Sequence, residues 1–82
     1  MATFLGVHDT GESTEDEKLQ AAWEDYKAAC DKLGCKAIHV HRNASMGRAY
    51  CLTEAGSAEE IQKAHDDAGV PVNEVFEVQT AD

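Results

Sequence analysis

The chain is short of basic residues, of long apolar runs and of paired cysteines, and each shortage removes a class of function. Only 7 Lys and Arg stand against 16 Asp and Glu in 82 residues, a formal net charge of −9. A duplex nucleic-acid binder must neutralise phosphates with cations, so nucleic acid is not an expected partner. An anionic membrane surface is disfavoured for the same reason. No stretch approaches the ~20 apolar residues of a membrane span. Thr3 to Val7 is apolar but short, with no basic segment before it, so no signal peptide is expected. The three cysteines, Cys30, Cys35 and Cys51, form no Cys-x-x-Cys pair. That leaves zinc ribbons, iron–sulfur ferredoxins and soft-metal chaperone loops without support. Their odd number, with no leader, predicts reduced thiols and a cytoplasmic protein. No nucleophile elbow, phosphate-binding glycine loop or paired-histidine protease helix occurs.

What is present is a strong pattern. Hydrophobic residues make up 43% of the chain, which argues against disorder. Thr3 to His8 alternates as a strand. Thr14 and Glu17 have capping-box spacing, and Leu19, Ala22, Trp23, Tyr26 and Leu33 then recur at helical spacing up to Gly34. Cys35 to Asn43 alternates again, a turn follows, and Arg48 to Glu54 reads as a third strand. Ser57 and Glu60 form a second capping box before a shorter helix carrying Ile61, Ala64, His65 and Ala68. Gly69 and Pro71 end it, and Asn73 to Val78 reads as a last strand. The order βαββαβ predicts one domain, residues 1–82, with the ferredoxin-like α+β sandwich: two helices on one face of an antiparallel sheet. The uncovered face then serves as a dimer interface or a binding surface. A core this small supplies only ~3–5 kcal/mol, so a partner subunit, a metal or a disulfide is expected.

Charge is distributed unevenly. Lys32 to Leu52 holds Lys32, Lys36, Arg42 and Arg48 and no acid. It reads as a solvated hairpin, as a surface meeting the acids of a twin subunit, or as a small-anion site at Arg42 and Arg48. The acids from Glu12 to Glu17 favour a helix N-terminus, or add oxygen ligands to a surface cation.

Four histidines are the sharpest chemical feature. His39 and His41 lie two apart on a strand and so share a face. Such a pair can chelate a divalent ion, and imidazole suits nickel, copper and zinc. With Leu5, Val7, Ile38 and Val40 turned to the helices, His8 joins His39 and His41 on the open face. Pairing across the turn brings Cys51 to that side, subject to register. Asp9 adds a carboxylate, and His65 with Asp66 forms either a separate surface site or part of the helix core. Cys51 with a histidine is also the only visible nucleophile pair, without a sign of an oxyanion hole.

Tyr50-Cys51-Leu52-Thr53-Glu54-Ala55, Ile61, Ala64-His65, Ala68 to Val72 and Val75 to Val78, with the strand and turn from His39 to Gly47, carry a resemblance. They resemble a family of small bacterial stand-alone ferredoxin-like proteins that includes a dimeric nickel-binding protein. The resemblance spans most of the chain after Gly34. It implies a homodimer, an α+β barrel that binds Ni2+ for sequestration or detoxification rather than catalysis. The expected ligands are His39, His41, His8, Asp9 and His65. Two other functions fit the fold. One is a dimeric α+β-barrel enzyme, of the cofactor-free monooxygenase or isomerase type, with a pocket lined by His65, Tyr50 and Trp23. The other is a plain dimerisation module.

Overall fold

A computed structural model describes Met1–Asp82. The elements are β1 (Ala2–Asp9), α1 (Asp16–Leu33), β2 (Lys36–Asn43), β3 (Arg48–Ala55), α2 (Ala58–Ala68) and β4 (Glu74–Val78). The strands form one sheet in the order β2-β3-β1-β4, with every neighbouring pair antiparallel. This is the ferredoxin-like α+β fold. No helix is long and apolar enough to cross a membrane.

The helices cover the face that carries Phe4, Gly6, Cys51, Thr53 and Ala55, all buried. Tyr26, Ala29 and Cys30 of α1 and Ile61 and Ala64 of α2 close that core. The sheet is therefore turned the opposite way at β1 from the sequence expectation. Leu5 and Val7 lie on the open face, in register with Leu52 and Tyr50. Both faces of β1 are apolar enough to be buried. Phe4 and the gap at Gly6 suit the helices better than two branched side chains do.

A bulge makes the second correction. β2 pairs Ala37 with Thr53 and then His39 with Leu52, so Ile38 is an extra residue. One inserted residue reverses the alternation of a strand. Ala37 and Val40 consequently both pack on the core, while Ile38 is left 38% exposed. His39 and His41 stay on the open face, in register with Leu52 and Tyr50.

The capping box at Thr14 and Glu17 does not form. Glu15 occupies the cap position of α1 and makes no side-chain cap bond. The Thr14 N–H donates instead to Ala44 O at 2.9 Å, and Thr10 N–H to Gly47 O at 2.9 Å, pinning the β1–α1 loop to the β2–β3 turn. Gly47 permits this: its φ is +66°, and a Cβ there would lie 1.8 Å from Glu12 O. In the first turn of α1, Asp16 accepts from Arg42, Nε to Oδ1 at 2.8 Å and the guanidinium to Oδ2 at 3.1 Å. That bond holds the Asp16 carboxyl below its usual range. The second box does form, in altered shape. Ser57 Oγ accepts from Glu60 N–H, and the Glu60 carboxylate reaches back to Gly56 N–H rather than to the cap residue. Gly34 and Gly69 end the two helices in the left-handed conformation, as their positions predict.

One buried polar pair ties helix to sheet. Tyr26 Oη and Thr53 Oγ1 lie 2.6 Å apart, and both residues are almost wholly buried. Removing one partner leaves the other unsatisfied in the core, which costs more than the net value of the bond. Tyr26→Phe and Thr53→Val are each expected to lose about 1–2 kcal/mol in urea unfolding. The double variant should lose less than the sum, because it leaves no orphaned hydroxyl; additive losses would show the bond contributes nothing.

Candidate metal centre

His8 is the last residue but one of β1, on the helix-facing side. Two residues earlier is Gly6, which pairs with Cys51 across the sheet. A Cβ at Gly6 would stand 2.6 Å from Cys51 Sγ and 3.5 Å from the His65 ring. The missing side chain is thus the space into which the thiol and the imidazole fit. His65 comes from α2, one turn after Ile61, and is 0% exposed. One donor atom from each of His8, Cys51 and His65 lies within 4.8 Å of the others.

Both rings are held by backbone carbonyls. His8 Nδ1 donates to Pro71 O at 2.7 Å, and His65 Nδ1 donates to Ile61 O at 2.8 Å. A carbonyl can only accept, so each Nδ1 carries the proton and each neutral ring presents a lone pair at Nε2. His65 Nε2 takes the Cys51 thiol at 3.6 Å. Tyr26 stacks on His65 with centroids 4.2 Å apart, and the two imidazoles are 5.0 Å apart by centroid. Pro71 follows the Gly69 cap, whose turn is closed by Val70 N–H on His65 O. The residues that end α2 therefore also aim His8.

Burial keeps the cluster uncharged. Desolvation pushes His65 down to about 4, with the carbonyl of Ile61 opposing in part. His8 is lowered by the same cause. Desolvation pushes the Cys51 thiol up to about 11. Neutral imidazoles are the ligating form, and an Nδ1–H···O=C bond is the usual outer contact of a metal-bound histidine. A nitrogen and a sulfur sharing one tetrahedral ion at ~2.0–2.1 and ~2.3 Å lie about 3.5 Å apart. The Cys51–His65 separation already matches this.

The expected ligands are thus divided between two faces. His8 and His65 meet Cys51 beneath the helices. His39 and His41 sit together on the open face, exposed, with ring centroids 4.8 Å apart. Asp9 joins neither group: its carboxylate accepts from Gly11 N–H at 2.9 Å and pairs with Arg48 at 3.5 Å. Asp66 is exposed and bonds Gln62, so His65 and Asp66 make no common site. Arg42 and Arg48 are both paired with acids of the same chain.

The family model described as nickel-responsive protein SCO4226-like matches residues 4–78. The chain belongs to the SCO4226-like family. It is also similar to the crystal structure of SCO4226 from Streptomyces coelicolor A3(2), with 27% identity and a TM-score of 0.88. The match covers 99% of this chain and 100% of the other. No curated protein matches.

In the sequence Cys51 reads as a neighbour of the strand histidines, and neither Gly6 nor the Pro71 carbonyl has a visible role. The usable signal was Phe4-Gly6-His8, a small residue mid-strand on the same face as a histidine, together with a histidine inside the apolar stripe of α2. In this SCO4226-like chain, stability should follow the buried imidazoles. His65 sits near 4 in the folded chain and near ~6.5 unfolded. The unfolded chain then binds more protons between those values. Stability is full above about pH 6.5 and is lost as pH falls toward 4. Urea unfolding should show a loss of about 2–3 kcal/mol from pH 7.5 to 4.5. His65→Gln should flatten that slope whatever it does to stability at pH 7.5; an unchanged slope would contradict the assignment.

Proposed function

We propose that this protein binds Ni2+ and serves to sequester it, with His8, His65 and Cys51 as the principal ligands. The observation that carries the reading is the pinning of both Nδ1 atoms on carbonyls, which leaves two neutral imidazole nitrogens beside a thiol. The nickel-responsive description of the family supports the choice of metal. His39 and His41 provide a second, exposed pair, weaker because solvent and side-chain motion compete for it. The three unpaired thiols suit a reducing, cytoplasmic setting.

Binding at the buried site exchanges the thiol proton for the cation. With both imidazoles lowered and Cys51 raised to about 11, the proton released near neutrality comes from sulfur. Nickel affinity should therefore rise about tenfold per pH unit between pH 6 and 8. Calorimetric titration in buffers of different ionisation enthalpy should count one proton. Cys51→Ala should abolish that count and, with His8→Ala, reduce affinity at least a hundredfold. His39→Ala/His41→Ala should change only a weaker second event. Tight binding lost in the His39/His41 variant and kept in the Cys51/His8 variant would move the site to the open face.

A homodimer through the open face completes the proposal. That face carries Leu5, Val7, Tyr50, Leu52 and Phe76, the last 43% exposed. Four strands with one bare apolar face are marginal alone. Leu52→Asp/Phe76→Asp should convert a particle of about twice the 8.9 kDa chain mass to a monomer in light scattering. A wild-type chain that already runs as a monomer would refute the dimer.

A further inference from the structure

A cavity of about 300 Å3 opens between α1 and the sheet, above the His8, Cys51 and His65 cluster. It is larger than three ligand atoms and one ion require. A dry cavity of about 150 Å3 already takes a benzene-sized ring, and small-molecule sites begin near ~300 Å3. Its walls are Leu19, Ala22 and Trp23 of α1, Val40 of β2, and Val70 and Val72 of the loop before β4. Trp23 and Tyr26 stand side by side there, with centroids 6.0 Å apart.

The lining selects a ligand by charge. No Lys or Arg contributes to it. An anionic ligand would enter without a counter-charge, in a chain of net charge −9. Asp9 is the single acidic residue in the wall, and its carboxylate is committed to Gly11 and Arg48. A cationic ligand would find no free partner either. Of the other polar side chains in the wall, Thr10 donates to Glu12 O and the exposed Asn73 accepts from Asp9 N–H through Oδ1, so recognition deeper in the cavity falls to the two imidazoles. His65 Nε2 already receives the Cys51 thiol. His8 Nε2 has no partner in the chain, and it is not sealed from solvent, since no buried side-chain nitrogen is left unsatisfied. It is an acceptor, so the complementary group is a donor.

We propose that this cavity binds an uncharged aromatic molecule bearing a hydroxyl group. The ring lies against Trp23 and the aliphatic wall, and the O–H donates to His8 Nε2. Largely apolar walls with one free ring acceptor favour a phenol over its ether and over a carboxylate: the ether lacks the donor, and no Lys or Arg in the wall neutralises the charge of the acid. This reading shares His8 with the nickel centre and does not rest on it.

Metal-free protein in chelator should be titrated with 4-ethylphenol, 4-ethylanisole and 4-ethylbenzoate. Calorimetry gives the affinity. Emission from Trp23, the one tryptophan of the chain, reports occupancy of the cavity. Saturable one-to-one binding of the phenol is expected, with the ether about five- to tenfold weaker and the acid silent. His8→Leu should bring phenol down to the ether while leaving the ether unchanged. Ala22→Phe should remove both by filling the space. Val72→Phe fills it from the loop side and serves if the first variant loses its far-ultraviolet circular dichroism. No saturable signal, equal affinity for phenol and ether, or binding that survives both filling substitutions would each overturn the proposal. Phenol binding in a protein that takes no nickel would support it while removing the metal reading. Nickel binding without phenol binding would overturn it alone.

Discussion

The arrangement beneath the helices depends on an atom that is not there. Gly6 lies at the middle of a central strand, where a side chain would ordinarily fill the core. Its absence lets Cys51 Sγ sit where a Cβ would be 2.6 Å away, and lets the His65 ring close over the strand with Val72 beside it. Any larger residue would force the thiol, the imidazole or the β4 approach to move. Interiors packed near crystal density do not accommodate such a shift cheaply. The same vacancy brings α2 close enough for His65 to stack on Tyr26, which in turn is bonded to Thr53. One glycine thus links the central strand pair, both helices and the candidate metal centre.

Around this centre the electrostatics are sorted by depth. The deep groups are a thiol, two imidazoles and a phenol, and burial drives all of them toward their neutral forms. The full charges lie outside. Arg42 and Arg48, the two arginines of the basic hairpin, are each held by an acid of the same chain, Asp16 and Asp9. Those pairs are exposed, so each contributes little to stability. Their structural consequence is to fix the β1–α1 loop and the start of α1 against the hairpin, which fixes one wall of the cavity. The excess negative charge left on the surface attracts cations at long range without specifying where they bind.

The fold was legible because its signals are local and redundant. Helical spacing from Leu19 to Leu33, the two left-handed glycines and the alternating strands all agree on βαββαβ. What was not legible was which way the sheet faces. Phe4 against Leu5 and Val7 is a choice between two apolar faces, and alternation alone does not say where the helices pack. The bulge at Ile38 turned Ile38 out and Ala37 in, while Val40, His39 and His41 kept their expected faces. The reversal at β1 alone therefore placed His8 opposite to its expected companions. His65 was legible in half: its position in the apolar stripe of α2 showed burial, but its contact with Cys51 depends on the vacancy at Gly6. Thr14 and Glu17 failed as a cap for a related reason, since the loop backbone bonded to a turn some thirty residues away. Ser57, with no such competitor, behaved as the local pattern predicts.

Two pairs of histidines on opposite faces would treat a cation in opposite ways. The His39 and His41 rings are exposed in the chain, so an ion there would keep part of its water and exchange fast, at the cost of selectivity. An ion at His8 and His65 would have to shed water among largely apolar walls and displace a thiol proton, and would leave slowly. The lone pair at His8 Nε2 is common to that ion and to the hydroxyl proposed for the cavity, and one lone pair cannot serve both. Occupation of the cavity by an organic donor therefore competes with closure of the three-ligand set. The two occupants are linked by thermodynamic necessity: whatever each does to the affinity of the other is reciprocal. A site with a wall of this kind would consequently be sensitive to what else is in the cavity, whereas the pair on the open face would be sensitive to whatever covers the sheet.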